Sequence, residues 1–130
     1  MINIQGTQYS YDQRDVINFE EGLIGFPEMR RAVLIPLAEY EPFCWLASLD
    51  NENIRFVVVN PQQIFADYQP DLESAKAETQ TLAIVKISSD WRKTTVNLRA
   101  PIFFSTQTRR AAQVILSNNN YKHAESLPNN

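Results

Sequence analysis

Apolar and polar positions alternate along this chain in short stretches, too brief for amphipathic helices and separated by turn-forming residues. Ile2 and Ile4 alternate with polar neighbours, Gly6 interrupts, and Tyr9 and Tyr11 resume the alternation, which predicts two short strands and a tight turn. Further strands are predicted at 16–19, 32–37, 43–49, 55–59, 82–87, 94–98, 102–105 and 112–116. Those at 43–49 and 55–59 form the clearest antiparallel pair, because Asp50-Asn51-Glu52-Asn53 between them is made of turn formers. Pro36 demotes 32–37 toward an edge or a bulge. Two of the three glycines fall in Glu20-Glu21-Gly22-Leu23-Ile24-Gly25-Phe26-Pro27, which predicts an ordered loop with unusual backbone angles, anchored by Leu23 and Phe26. Helical composition is confined to 71–78, so at most one short helix is expected.

Eight to ten short strands at this spacing predict an all-β fold, a small antiparallel β-barrel-like domain, with a sandwich as the alternative. No repeat of solenoid or propeller period is present. The 130 residues suit one domain, taken as 1–123, with the polar residues 124–130 expected to form a mobile tail.

Composition narrows the chemistry. The longest run without a polar side chain is seven residues, 32–38, and 54–59 is nearly apolar over six, against the roughly 20 that a membrane helix needs. Met1 is followed by no basic n-region or apolar h-region, and Cys44 is the only cysteine, so a cytoplasmic protein without a disulfide is expected. Cys44 lies within Phe43-Cys44-Trp45-Leu46, where a thiol reads as a small core residue rather than an activated nucleophile, and His123 stands alone in the polar C-terminal region. Asp67, Asp71 and Glu73 gather carboxylates without the spacing of a calcium loop, and one His and one Cys cannot build a zinc tetrad. Gly22 and Gly25 follow Glu20-Glu21, whose charges oppose a phosphate. No catalytic, metal or cofactor site is therefore expected.

Charge is unevenly distributed within a net −3: the first 80 positions carry −8, and residues 86–110 carry +5. Two contact surfaces of opposite sign would explain this, as would charges that simply face water on different sides. Trp91, Phe103 and Phe104 among Arg92, Lys93, Arg99 and Arg109 keep a single-stranded RNA-binding barrel as an alternative. Against it, Phe103 and Phe104 adjoin Ile102 in a strand, so one of them must face the core.

Several ordered blocks carry a family resemblance. Ile17-Asn18-Phe19-Glu20-Glu21-Gly22-Leu23-Ile24-Gly25-Phe26 is followed by Pro42-Phe43-Cys44-Trp45-Leu46-Ala47-Ser48, Val59-Asn60-Pro61 and Asp67-Tyr68. Asn97-Leu98-Arg99-Ala100-Pro101-Ile102, Gln113-Val114-Ile115-Leu116 and Tyr121 complete the series. In this order, over about residues 2–123, they resemble the flagellar assembly factor FliW family. Ile24 departs from the proline usual in the family's loop, and Ala111-Ala112 from its usual basic residue and glycine. The resemblance implies a non-enzymatic, cytoplasmic, monomeric protein that binds the translational repressor CsrA, relieving repression of flagellin translation, and binds flagellin in a partner switch. Neither nucleic acid nor membrane is an implied partner. Charge sign and family pattern together point to Asp67, Tyr68, Asp71 and Glu73 as the repressor-facing surface. Motif position points to Phe26 and the stretch 113–116, with Gln113 and Ile115, as the flagellin surface. Leu23, Phe26, Phe65 and Tyr68 are apolar residues in predicted loops, where they either form a groove for an amphipathic helix or plug the barrel ends.

Overall fold

The computed structural model describes residues 1–70, 79–117 and 120–128. Among these residues eleven short strands follow one another: β1 (Ile2–Ile4), β2 (Thr7–Tyr9), β3 (Ile17–Phe19), β4 (Arg31–Pro36), β5 (Cys44–Ser48) and β6 (Arg55–Val59), then β7 (Thr79–Lys86), β8 (Thr95–Val96), β9 (Ile102–Ser105), β10 (Arg110–Gln113) and β11 (Glu125–Ser126). Among the described residues the helical segments are single 3₁₀ turns at Gln13–Asp15, Pro61–Gln63 and Trp91–Lys93. The helix expected at 71–78 lies outside the described residues.

Seven strands close into a barrel. The order β7-β6-β5-β4-β3-β10-β9 returns to its start because β9 also pairs with β7, along Thr79–Leu82. All-β architecture and barrel closure were legible in the strand spacing, but the barrel is not wholly antiparallel. β3 and β10 run parallel, Arg110 opposite Asn18 and Ala111 opposite Phe19. Parallel neighbours need a long crossover, and here most of the barrel intervenes between them.

Register decides what fills the interior. Leu34 pairs with Leu46, Cys44 with Val58, Val58 with Ile84 and Leu82 with Ile102, so the same pleat face points inward on every strand. Ile17, Phe19, Ala32, Leu46, Val58, Leu82, Ile102 and Phe104 form that inner core, joined by Leu23 and Met29 from the loop after β3. The outward faces are covered twice. Ile2 and Ile4 of the β1–β2 hairpin pack with Val33, Ile35 and Ala47. The outward residues Val57, Val59, Ala83 and Val85 pack with Tyr68, Leu98, Tyr121 and Leu127. Each fully buried aliphatic side chain stabilises the fold by roughly 1.5–3 kcal/mol, which explains how strands of two to eight residues suffice.

Three sequence expectations change. Pro36 does not mark an edge: β4 lies between β3 and β5, and the proline sits at its last position, beyond the residues that pair with β3. Its missing N–H therefore breaks no ladder with β3. The strand expected at 112–116 begins at Arg110, and Val114 and Leu116 continue toward the preceding segment through N–H bonds to Pro101 O (3.0 Å) and Arg99 O (2.8 Å). The expected mobile tail instead contributes β11, which pairs with β8 and brings Leu127 onto the outer core. Two polar residues with no apolar alternation give a strand of two no sequence signal.

Asp50 ties the two ends of the β4–β5 hairpin. Its carboxylate accepts the N–H groups of Arg31 (2.8 Å) and Arg30 (3.0 Å) and faces the Arg31 guanidinium at 3.3 Å. Burial disfavours its charged form, but the bonds from Arg31 and Arg30 outweigh that and hold the carboxyl below the usual range. Asp50→Ala is expected to cost about 1–2 kcal/mol in denaturant unfolding near neutral pH. Because the folded-state value is depressed, this contribution is present above the unfolded carboxyl's pKa and lost as pH falls below about 4. The two proteins' stabilities should therefore converge in acid, and a constant gap at all pH values would contradict the assignment.

Candidate protein-docking surface

The loop between β3 and β4 is built on its glycines. Leu23 N–H donates to Phe26 O (3.1 Å) and Phe26 N–H to Leu23 O (2.8 Å), leaving Ile24 and Gly25 as the two central residues of a tight turn. Gly25 has φ +86°, the left-handed angle a type II turn requires at its second central residue. Gly22 also has positive φ, and a Cβ there would meet Pro27 O at 2.5 Å. Leu23 and Met29 enter the core, while Ile24 is thrown outward and 55% exposed. Phe26, expected as an anchor, is 37% exposed and only leans its ring edge-to-face on Phe56, centroids 5.0 Å apart.

Gln113 fastens this turn to the barrel. Its side-chain oxygen accepts the Ile24 N–H at 3.0 Å, and its amide nitrogen donates to Ala100 O at 3.1 Å. Phe26, Ile24 and Gln113 are thus brought to one region, and Ile115, 60% exposed, lies two residues further along the chain. A cleft of about 630 Å³ runs beside them, lined among others by Glu20, Glu21, Ile24, Phe103, Arg110 and Gln113. Arg110 faces Glu20 across it at 3.5 Å. Gln113 was expected as a contact; the structure also gives it the task of positioning the turn.

Tyr68 is corrected outright as a surface residue. It is 2% exposed, its hydroxyl donates to Leu98 O at 2.8 Å, and its ring meets Tyr121 edge-to-face at 4.6 Å. Burial, with the neighbouring Tyr121, raises its pKa well above the usual phenol value. The adjacent Asp67 is exposed, and Phe65 is half-buried against the outer core. Phe65 and Tyr68 thus pack with the outer core, whereas Leu23 packs with the inner one. Asp71 and Glu73 lie outside the described residues.

The Tyr121 hydroxyl closes the same corner, accepting Gln69 N–H at 2.9 Å and donating to Gln69 O at 3.2 Å. Sequence reading placed Tyr121 in the family pattern but assigned it no contact, because its partners lie about fifty positions away. Asn97 was also missed as a structural device: its side chain accepts the N–H groups of Arg99 (3.2 Å) and Ala100 (3.0 Å). An asparagine a few residues ahead of Pro101 was the available signal.

Of the residues considered for RNA, Trp91, Arg92 and Lys93 are exposed together on one 3₁₀ turn, while the other two aromatics are withdrawn from the surface. Phe103 and Phe104 are both buried. Arg109 stacks over Phe104 at 5.5 Å and donates to Asp15 O at 2.8 Å, while Trp91 packs edge-to-face on Phe43. Cys44 is half-buried, its thiol pushed up by desolvation and, to a lesser degree, by the Glu41 carboxylate, which is the reverse of activation. His123 is exposed. Among the described residues no helix is long and apolar enough to cross a membrane.

Comparison with known proteins matches residues 3–127 to the model of a family described as FliW protein. The chain belongs to the FliW family. The flagellar assembly factor FliW of Syntrophotalea carbinolica is 35% identical over 130 residues, covering 93% of this chain and 92% of its own. Its counterpart in Clostridium beijerinckii is 31% identical over 129 residues, covering 92% of each chain. That of Bacillus subtilis is 33% identical over 123 residues, covering 88% and 86%. A crystal structure of the flagellar assembly factor FliW superposes with a TM-score of 0.83 at 30% identity, over 93% of this chain and 92% of that one. The family resemblance read from sequence is therefore borne out, and the barrel is the fold of that solved FliW.

The loop geometry makes a prediction. Gly22→Ala combines a left-handed φ with a collision against backbone and is expected to cost about 3 kcal/mol or more. Gly25→Ala, with open space around its Cβ position, should cost only about 1–2 kcal/mol. Chemical denaturation of both variants checks the order, and equal losses would contradict it.

Proposed function

We propose that this chain is a non-enzymatic, cytoplasmic flagellar assembly factor that binds the translational repressor CsrA and flagellin in alternation. Bound to the repressor, it relieves the block on flagellin translation; captured by unexported flagellin, it releases the repressor. The observation that carries this reading is the match to flagellar assembly factors from residue 3 to residue 127, with the same barrel.

Electrostatics support it. A repressor that grips RNA presents basic surface, and an acidic protein is drawn to that surface while phosphate is repelled from itself. The −8 balance of the first 80 residues has the required sign, and Asp67, Glu20 and Glu21 are exposed. We assign Asp67, together with Asp71 and Glu73 by sequence position, to the repressor side. Phe26 and the stretch 113–116 go to the flagellin side, where Ile24 and Ile115 add exposed apolar area. The raised thiol of Cys44 and the burial of Phe103 and Phe104 support protein binding over catalysis or RNA binding, since Trp91, the one aromatic of the three left exposed, makes a poor stacking platform alone.

Calorimetric titration of the full chain with purified CsrA tests the reading, followed by flagellin added to the preformed complex. Binding is expected, with displacement of the repressor by flagellin; absence of binding to both proteins would overturn it. The double reversal Asp67→Lys and Asp71→Lys is expected to weaken repressor affinity at least tenfold, with the melting temperature nearly unchanged. Undiminished affinity would remove these carboxylates from the interface. Single-stranded RNA should show no gel shift at low salt, and a shift lost steeply with added salt would favour the RNA-binding alternative.

A further inference from the structure

Among the described residues, the seam between β3 and β10 leaves part of the β10 edge unpaired. β3 pairs with β10 only as far as Phe19 opposite Ala111, and then turns away into the glycine loop. β10 continues as Gln113, Val114, Ile115 and Leu116. Val114 and Leu116 direct their N–H groups to Pro101 O and Arg99 O. Backbone groups alternate in direction along an extended chain, so the N–H and C=O of Gln113 and Ile115 face the side that β3 has vacated. Among the described residues no strand occupies that side.

Proteins ordinarily blunt such an edge with proline, with charge or with a covering segment. Residues 113–116 contain neither proline nor a charged side chain, and Ile115 exposes 60% of its surface. The neighbouring cleft holds Ile24, Ala112 and Phe103 as apolar walls, with the Glu20 and Glu21 carboxylates at its rim. Arg110 engages Glu20 at 3.5 Å, and Glu21 adds a further exposed negative charge.

We infer that the edge of residues 113–116 is a strand-addition site, which takes an extended segment of a partner protein in the place β3 leaves free. The segment it fits alternates apolar residues, packed on Ile24 and Ile115, with a basic residue that meets Glu21. Main-chain bonds to Gln113 and Ile115 supply affinity, and the cleft supplies selectivity. This mode differs from the insertion of an amphipathic helix, and it does not rest on the identity of the partner.

A phage-displayed library of random twelve-residue peptides, panned against the full chain, supplies the probe. Enriched peptides are expected to be apolar with basic residues and to bind about tenfold more weakly to Glu21→Lys. Ile115→Pro removes the outward N–H together with the isoleucine side chain and is expected to abolish binding, whereas Ile115→Ala removes the side chain but keeps that N–H and should lose less than tenfold. Should Ile115→Pro fail to fold, hydrogen exchange on the wild-type chain decides: saturating peptide should slow exchange at Gln113 and Ile115. Failure to enrich any peptide, undiminished binding to folded Ile115→Pro, or unchanged exchange at both amides would overturn the inference. So would a dimer in sedimentation that Ile115→Pro dissolves, since the edge would then belong to a second copy.

Discussion

Closure of the sheet is the constraint on which the rest of this molecule depends. A seven-stranded ring needs its first and last strands to meet, and the junction is made by β7 with β9 and by the parallel contact of β3 with β10. Closure gives each inward side chain a filled environment and leaves the outward faces to be covered by separate pieces of chain. The β1–β2 hairpin covers one region, and the Tyr68 corner with β11 covers another. Where β3 departs after only three residues, coverage stops, and the open edge and the cleft beside it follow from that one short pairing.

The glycine loop belongs to the same junction. Its backbone must leave β3, send Leu23 and Met29 into the barrel and present Ile24 outward within ten residues, which the left-handed angles at Gly22 and Gly25 permit. Gln113 then holds the turn against β10 by a single bifunctional side chain. Proline in place of Ile24 would stiffen the turn; isoleucine instead offers an N–H to Gln113 and an apolar side chain to solvent. Isoleucine at this position thus combines a long-range bond with an exposed apolar contact.

FliW membership gives these features a setting without assigning each residue a task. Exposed acidic and exposed apolar side chains meet at the cleft beside the glycine loop, where Glu20 and Glu21 adjoin Ile24. Tyr68 shows why motif residues and contact residues must be kept apart. It belongs to the family pattern, yet it is spent on the interior, where its hydroxyl holds Leu98 O and its ring braces Tyr121.

Alternation predicted Ile2–Ile4. The short apolar runs Arg55–Val59 and Ile102–Ser105 were legible as strands because β-forming residue types and flanking turn formers are local signals, although both runs are buried without period-two alternation. The turn formers around Asp50 and the glycines at 22 and 25 were equally legible, since their backbone requirements are local. Other features had no local signature. The parallel seam, the two-residue β11, the burial of Tyr68 and the clamp from Gln113 to Ile24 each join residues far apart along the chain. Sequence by itself determined a β-rich core and a family pattern, since hydrophobic period and turn chemistry are properties of neighbours. Only the tertiary structure decided which polar side chains were consumed internally and which strand edge stayed open, because both depend on how the ring closes.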